Sequence, residues 1–168
     1  IGAADLVIDT TRTSVHQLRD IVRQRIGRHD LPELSILIES FGFKNGLPAD
    51  ADFVFDLRCL PNPYWDTSLR TLTGKDRKVA DFLDASDSVR RMYEDILGFL
   101  ERRIPQYIDC SRNYLTIAIG CTGGQHRSVY MAEKIAAELS RRHRQVMTRH
   151  DELPEVEGRI TVPQFGGS

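Results

Sequence analysis

The chain has 168 residues, of which 40% are apolar and 28% charged, and its formal net charge is −1. This composition is that of one globular domain with a sizeable core, and it excludes a polycation that binds nucleic acid through overall charge. Its 3 cysteines lack the spacing of a disulfide framework or a zinc site, and no apolar run is long enough for a transmembrane helix. We therefore expect a reduced, cytoplasmic protein without a metal or a membrane partner.

The first part of the chain has the pattern of a fragment. It begins without an initiator Met and close to a strand-like run, so we expect a piece of a longer protein. Its first residues lack the basic region and the long apolar region of a secretion signal. A short apolar run at residues 5–8 predicts a strand. Apolar residues at helical spacing then predict a helix over residues 15–26.

Hydrophobic periodicity divides the remaining chain into alternating strands and helices. It predicts strands at 35–38, 52–57, 114–119 and 145–148, and helices at 76–84, 86–104 and 125–142. Pro105 is expected to end or kink the second of these helices. The alternation predicts an α/β fold with a mostly parallel sheet flanked by helices. The loops 41–48, 59–74 and 120–124 connect these elements, and those after strands 52–57 and 114–119 should face one crevice at the carboxyl ends of the strands.

The segment after strand 114–119 is the most informative part of the chain. Its pattern is that of a strand followed by a glycine turn and the start of a helix. The candidate ligand residues in it are Cys121, Thr122, Gly123, Gly124, His126, Arg127 and Ser128. Such a turn directs backbone N–H groups and the positive end of the helix dipole toward one spot. The pattern predicts a site for a small anion, with phosphate or sulfate as the natural occupant. The alternative is a tight turn whose glycines serve packing alone.

The same segment has the Cys-x5-Arg spacing of tyrosine phosphatase loops. Cysteine-dependent hydrolysis needs a thiolate, N–H donors, an arginine and a general acid. Cys121 and Arg127 match this pattern, but Gly120 stands where tyrosine phosphatases carry His. Asp56 and Asp66 are both available as the acid, and nothing in the sequence selects either. We therefore predict a binding site without catalytic residues and keep a phosphatase as the alternative.

Two further groups of residues extend the hypothesis. Asp56 lies at the end of strand 52–57, and Asn62 and Tyr64 follow in the next loop. The three could surround a hydroxylated or amino ligand, although a local ion pair of Asp56 with Arg58 explains the first of them equally well. Residues 125–150 carry six Lys or Arg against two Glu, a local net charge of +4. A solvated helix end is the ordinary interpretation, and an RNA-backbone patch is the alternative. The candidate RNA contacts are Arg141, Arg142, Arg144 and Arg149.

Five segments together resemble the C-terminal domain of the RNase adapter (RapZ/YvcJ) family, over about residues 35–150. They are Glu39-Ser-Phe-Gly-Phe-Lys44, Asp52-Phe-Val-Phe-Asp-Leu-Arg58, Leu60-Pro-Asn-Pro-Tyr-Trp-Asp66, Leu72-Thr-Gly74 and Ala118-Ile-Gly-Cys-Thr-Gly-Gly-Gln-His-Arg-Ser-Val-Tyr130. The opening resembles the end of that family's N-terminal P-loop domain. The resemblance therefore assigns residues 1–30 to the end of that domain and its linker, 31–150 to the C-terminal domain and 151–168 to a flexible acidic tail.

The resemblance implies a fold and a function. The fold is similar to a phosphofructokinase subdomain. The implied function is sensing of glucosamine-6-phosphate and presentation of small regulatory RNA to an endoribonuclease, by a homo-oligomer. The family's pocket falls on Asp56, Cys121, Thr122, Gly123, His126 and Arg127. ATP or GTP is expected only for the full-length protein, because no Gly-x4-Gly-Lys-Ser/Thr motif occurs here.

This chain departs from the family at two places. The family often has His where Tyr64 stands, and enterobacterial members end in a basic tail where this chain has the acidic stretch Glu152–Glu157. A protein-interaction or oligomerisation domain whose anion site is only structural therefore stays open as a third interpretation.

Overall fold

The computed structural model describes residues 33–154. Its four strands are β1 (Ser35–Gly42), β2 (Phe53–Asp56), β3 (Tyr114–Cys121) and β4 (Val146–His150). Its three helices are α1 (Arg77–Asp84), α2 (Asp87–Asp109) and α3 (Arg127–Leu139). Two short 3-10 turns, Phe43–Asn45 and Pro63–Trp65, follow β1 and β2. The strand and helix predicted at 5–8 and 15–26, and most of the predicted acidic tail, lie outside the described residues.

All four strands are parallel, in the order β2-β3-β1-β4. The predicted α/β fold with a parallel sheet is therefore confirmed. The two central strands are almost continuously apolar, and nearly every residue of β1 and β3 is buried. This is the pattern expected of parallel strands covered on both faces.

One face of the sheet carries the main core. Ile38 of β1 pairs with Ile117 of β3, and their side chains point to the same face of the sheet. Both are fully buried in a cluster that also contains Leu100 of α2 and Ile135 of α3. Phe53 of β2 packs edge-on against α2. The core thus fixes the helices against one face and leaves the carboxyl edge of the sheet to the loops.

Helix α2 continues past Pro105, so the predicted helix end at residue 104 was wrong. The buried stripe of Ile96, Leu100 and Ile104 is followed by Tyr107, whose ring lies 5.8 Å from that of Phe53. Pro105 is exposed and lacks only one backbone donor. Packing of the following turn therefore outweighs the local cost of the proline.

Other boundaries also differ from the prediction by a few residues, and those of β1 and α3 have identifiable causes. β1 extends to Gly42, since Phe41 and Gly42 pair with the last two residues of β3. α3 begins at Arg127 instead of residue 125, because His126 has non-helical backbone angles (φ −111°, ψ −82°). It ends at Leu139, where the hydroxyl of Ser140 donates to the carbonyl of Ala136 (2.6 Å).

The two loops predicted to share a crevice leave the same edge of the sheet. β2 and β3 are neighbours, and the N–H of Leu57 donates to the carbonyl of Gly120 at 2.8 Å. The loop after β2 and the glycine loop after β3 therefore begin side by side.

Candidate anion-binding site

The glycine loop, defined as residues 122–126, joins β3 to α3. Gly124 has a φ of +73°, in the left-handed region, and a Cβ atom there would lie 2.5 Å from the backbone nitrogen of Gly42. Only glycine fits such a position without strain. Gly123 differs, since a Cβ atom there would have no atom within 4 Å. The loop is thus packed against β1 at Gly124 and open at Gly123.

Backbone donors accumulate in and after this loop. Among the main-chain hydrogen bonds of residues 33–154, none is donated by the N–H groups of residues 122–129. These groups lie at the N-terminus of α3, where the helix dipole adds a partial positive charge. A run of N–H groups that no carbonyl satisfies is the backbone arrangement that binds phosphate or sulfate in many proteins.

Arg127 is buried and holds the neighbouring loop, a role that the sequence did not predict. The side chain is 4% exposed, and its Nη1 donates to the carbonyls of Leu60 (2.9 Å) and Arg58 (3.1 Å). Its Nη2 lies 3.4 Å from the hydroxyl of Thr122. The Nε is the one buried side-chain polar atom of the described residues without a partner. No carboxylate of this part of the chain forms an ion pair with Arg127, so a positive charge lies buried beside the glycine loop.

His126 fixes the far end of the same loop. Its ring is 7% exposed, and its Nε2 lies 3.1 Å from the carbonyl of Leu69. The segment between β2 and α1 is therefore attached twice, near Leu60 by Arg127 at the start of α3 and at Leu69 by His126 of the glycine loop. Both side chains thus have backbone partners in the fold, and their direct contact with a ligand stays a prediction.

Cys121 and Ser128 lie behind the loop. Cys121 is 2% exposed and Ser128 fully buried, and the Sγ and Oγ atoms are 3.2 Å apart. A nucleophilic thiolate must reach the phosphorus of its substrate, and such cysteines are partly exposed. The burial of Cys121 and the commitment of Arg127 to backbone carbonyls both disfavour the phosphatase interpretation.

The three candidate residues after β2 have local partners. Asp56 is bound by Arg58, whose Nη2 and Nε lie 2.8 and 3.1 Å from Oδ2. This pairing holds the pKa of the Asp56 carboxyl below its usual value, and the charge of Arg127 adds to the effect. Asn62 caps the 3-10 turn by accepting from the N–H of Tyr64 (3.1 Å), and Tyr64 is 47% exposed. Asp56 stays ionised and about half exposed, so it remains available to a cationic or hydroxylated ligand.

Acidic and histidine side chains form contacts among β1, α3 and the residues at the end of β4. Glu39, in the middle of β1, is 7% exposed. Burial and a hydrogen bond with the Asp151 carboxyl raise the pKa of Glu39 to about 7. The only sequence signal for these contacts was a glutamate inside an apolar strand.

His150, the last residue of β4, contacts both β1 and α3. Its Nδ1 lies 2.7 Å from the hydroxyl of Ser40, and its Nε2 lies 2.6 Å from the carboxylate of Glu133. The hydrogen bond from His150 lowers the pKa of Glu133.

The four arginines predicted to contact RNA are each paired with a carboxylate. Arg141 pairs with Glu138, Arg142 with Glu101, Arg144 with Glu33 and Arg149 with Asp151. Their side chains are between 56% and 79% exposed. Ion pairs this exposed contribute little to stability and exchange partners readily.

Two other kinds of site are absent from the part of the chain that the structure describes. No helix there is long and apolar enough to cross a membrane. No cluster of three or more His, Cys, Asp or Glu residues there is arranged to hold a metal ion.

The chain is similar to a family and to several named bacterial proteins. A model of the RapZ C-terminal domain matches residues 34–154. A nucleotide-binding protein of Marinobacter nauticus is 51% identical over 156 residues, covering 93% of this chain and 53% of that protein. A nucleotide-binding protein of Methylobacillus flagellatus is 54% identical over 148 residues, covering 88% of this chain and 52% of that protein. The chain therefore spans about half the length of these relatives.

Replacing Arg127 by Met should destabilise the protein, because the carbonyls of Arg58 and Leu60 lose their donor in a buried position. We expect the free energy of unfolding in urea to fall by about 1–3 kcal/mol. Arg58→Met is the matched control, since it removes an exposed ion pair worth at most about 1 kcal/mol. Equal losses for the two variants would contradict the anchoring role of Arg127.

The raised pKa of Glu39 predicts a pH dependence of stability. Between pH 4.5 and about 7, the unfolded chain loses the Glu39 proton while the folded protein keeps it. Stability should therefore fall through this window as the pH rises. Glu39→Gln cannot lose a proton at this position, so its stability should not show this fall. The unfolding free energy of the variant, relative to that of the original chain, should therefore rise from pH 4.5 to 7. The exposed Glu94→Gln should show no such trend, and a flat difference for Glu39→Gln would refute the prediction.

Proposed function

The chain belongs to the RapZ C-terminal domain family, and we propose that it is the phosphosugar-sensing and RNA-binding part of an RNase adapter. The relatives are named nucleotide-binding proteins. We assign nucleotide binding, with ATP or GTP, to the part of such proteins outside this chain, because the chain has no P-loop motif. Within this chain we propose binding without catalysis.

One observation carries the proposal: within residues 33–154, no main-chain carbonyl accepts a hydrogen bond from the N–H groups of residues 122–129, which lie beside the buried charge of Arg127. Free backbone amides, a helix dipole and a guanidinium that has no carboxylate partner among these residues all favour a negatively charged ligand. The open space at Gly123 gives an anion access to these donors. A phosphate monoester satisfies several of them at once through its oxygens.

The rest of the ligand is proposed to extend toward the loop after β2. Asp56 pairs in register with Gly120, the residue before Cys121. An ionised and accessible carboxylate there suits an ammonium or hydroxyl group of a sugar, and the amide of Asn62 and the hydroxyl of Tyr64 follow on the same loop. Glucosamine-6-phosphate, which the family resemblance implies, has both the phosphate and the ammonium. Gly124 and Ser128 shape the site, and Thr122 borders it.

RNA is the second proposed ligand. Arg141, Arg142, Arg144 and Arg149 lie at or after the C-terminal end of α3 and could exchange their carboxylate partners for phosphates. The exchange requires no rearrangement of buried groups, because all four side chains are mostly exposed.

We further propose a cytoplasmic homo-oligomer that presents small regulatory RNA to an endoribonuclease. An oligomerisation domain with a purely structural anion site is the alternative that the following experiments exclude or favour.

Glucosamine-6-phosphate at 100 times its dissociation constant should stabilise the fold by about 2.7 kcal/mol in a thermal-shift experiment. Gly124→Ala should abolish this gain, since an Ala at φ +73° distorts the loop. Gly46→Ala is the matched control. It introduces the same kind of strain at φ +93° in another turn, with open space around it. Loss of the ligand effect in both variants, or no ligand effect in the original chain with either phosphosugar or sulfate, would count against the site.

Replacing all four arginines by Ala should flatten the slope of log affinity for structured RNA against log salt by up to about 3–4, if each contacts a phosphate. The control replaces Arg77, Lys78, Arg90 and Arg91 of α1 and α2, which removes the same charge elsewhere. Equal flattening by the two variants would indicate a diffuse charge effect. Undetectable binding of the original chain at low salt would remove RNA from the proposed function.

A further inference from the structure

An exposed aromatic pair stands out on the loop after β2. Trp65 is 77% exposed and Tyr64 47% exposed, and their ring centroids are 5.9 Å apart in an edge-on arrangement. A tryptophan is usually the residue that contributes most to a core or an interface. Here Trp65 packs little of its surface against the described residues. Packing within the fold therefore does not explain why a tryptophan stands at this position.

The loop holds this pair in a fixed position. Asn62 caps the 3-10 turn, and the N–H groups of Trp65 and Asp66 donate to the carbonyls of Asn62 (3.3 Å) and Pro63 (3.0 Å). Pro63, the first residue of this turn, is buried. The ends of the loop are attached by Arg127 at the start of α3 and by His126 of the glycine loop, as described above. The two aromatic side chains are therefore presented by a braced turn, which lowers the entropy lost when a partner binds.

Cationic groups accompany the aromatic rings. The guanidinium carbon of Arg70 lies 4.6 Å from the centroid of Tyr64, and its Nε donates to the carbonyl of Tyr64 (3.0 Å). Arg70 has no carboxylate partner among the residues that the structure describes. Near the start of the same loop, Arg58 lies 3.9 Å above the ring of Phe43. Flat rings interleaved with guanidinium groups suit a partner that has both planar apolar faces and negative charge.

We propose that Trp65, with Tyr64 and Arg70, stacks an unpaired base of RNA, while Arg70 contacts the adjoining phosphate. The inference rests on the RNA-binding half of the proposed function. A double-stranded helix keeps its bases stacked on one another, so no base is free to stack on these aromatic rings. Single-stranded segments expose their bases to aromatic side chains, and each stacked base contributes in a largely sequence-independent way. The platform lies on the loop that the glycine loop anchors, and it adds a contact to bases that the arginines after α3 do not supply.

Trp65 is the only tryptophan of the chain, so its intrinsic fluorescence reports on this site alone. Titration with a single-stranded oligoribonucleotide at low salt should quench this fluorescence, and a duplex of the same length should not. Trp65→Ala should weaken single-strand binding by about 5- to 100-fold, and Trp65→Phe should retain most of the affinity. Leu47→Ala, which removes another exposed apolar side chain (61% exposed), should leave binding unchanged.

Salt dependence separates the two parts of the platform. Trp65→Ala should leave the slope of log affinity against log salt unchanged, because stacking releases no counterions. Arg70→Ala should reduce that slope by about 1.

Four results would overturn the inference. Salt-dependent RNA binding that leaves Trp65 fluorescence unquenched and persists in Trp65→Ala would keep RNA in the proposed function and remove the platform. Absence of RNA binding would remove both. Quenching by glucosamine-6-phosphate but not by RNA would assign Trp65 to the sugar site. A change of oligomeric state in Trp65→Ala would assign it to a protein interface.

Discussion

The contact on which the carboxyl edge of this domain depends is the buried guanidinium of Arg127. A single Nη1 group donates to carbonyls of the loop after β2, at Leu60 and Arg58, while the backbone of the same residue begins α3. One side chain thus ties the ends of two neighbouring strands to the N-terminus of a helix. Burial of a charge without an opposite charge is costly unless hydrogen bonds compensate it. The carbonyls supply that compensation in part, and the unpartnered Nε shows that it is incomplete.

This incomplete compensation is the physical basis of the anion preference that we propose for the site. The N–H groups that follow β3 and the charge of Arg127 act on the same region, and Gly124 lets the chain approach β1 closely enough to form the loop. On the side of β2, the ionised carboxylate of Asp56 pairs in register with Gly120, the residue before Cys121. A cationic group and an acidic group therefore both lie near the start of the glycine loop. We expect the site to prefer a ligand that carries a negative group and a positive group over a simple anion.

The sequence predicted the elements whose signals are local, and it missed the features that depend on distant residues. The alternation of apolar strands and amphipathic helices predicted the α/β fold, because each pattern reports the periodicity of its own element. Pro105 was misjudged because the packing of Tyr107 on Phe53, 54 positions away along the chain, decides where α2 ends. The glycine loop was located from its residues, but the partners of Arg127 and His126 were not, since those carbonyls lie 57–69 positions earlier. The sequence patterns likewise did not indicate that Trp65 is exposed.

The central claim is that the N–H groups at the start of α3 bind phosphate, and amide chemical shifts test it most directly. A titration of the isotopically labelled chain with glucosamine-6-phosphate, followed by two-dimensional NMR, should move the amide resonances of residues 122–129 most strongly. Glucosamine without the phosphate should leave them unchanged at the same concentration. Shifts that concentrate elsewhere, for instance around Lys75 and Lys134 between α1 and α3, or shifts that glucosamine alone reproduces, would contradict the account.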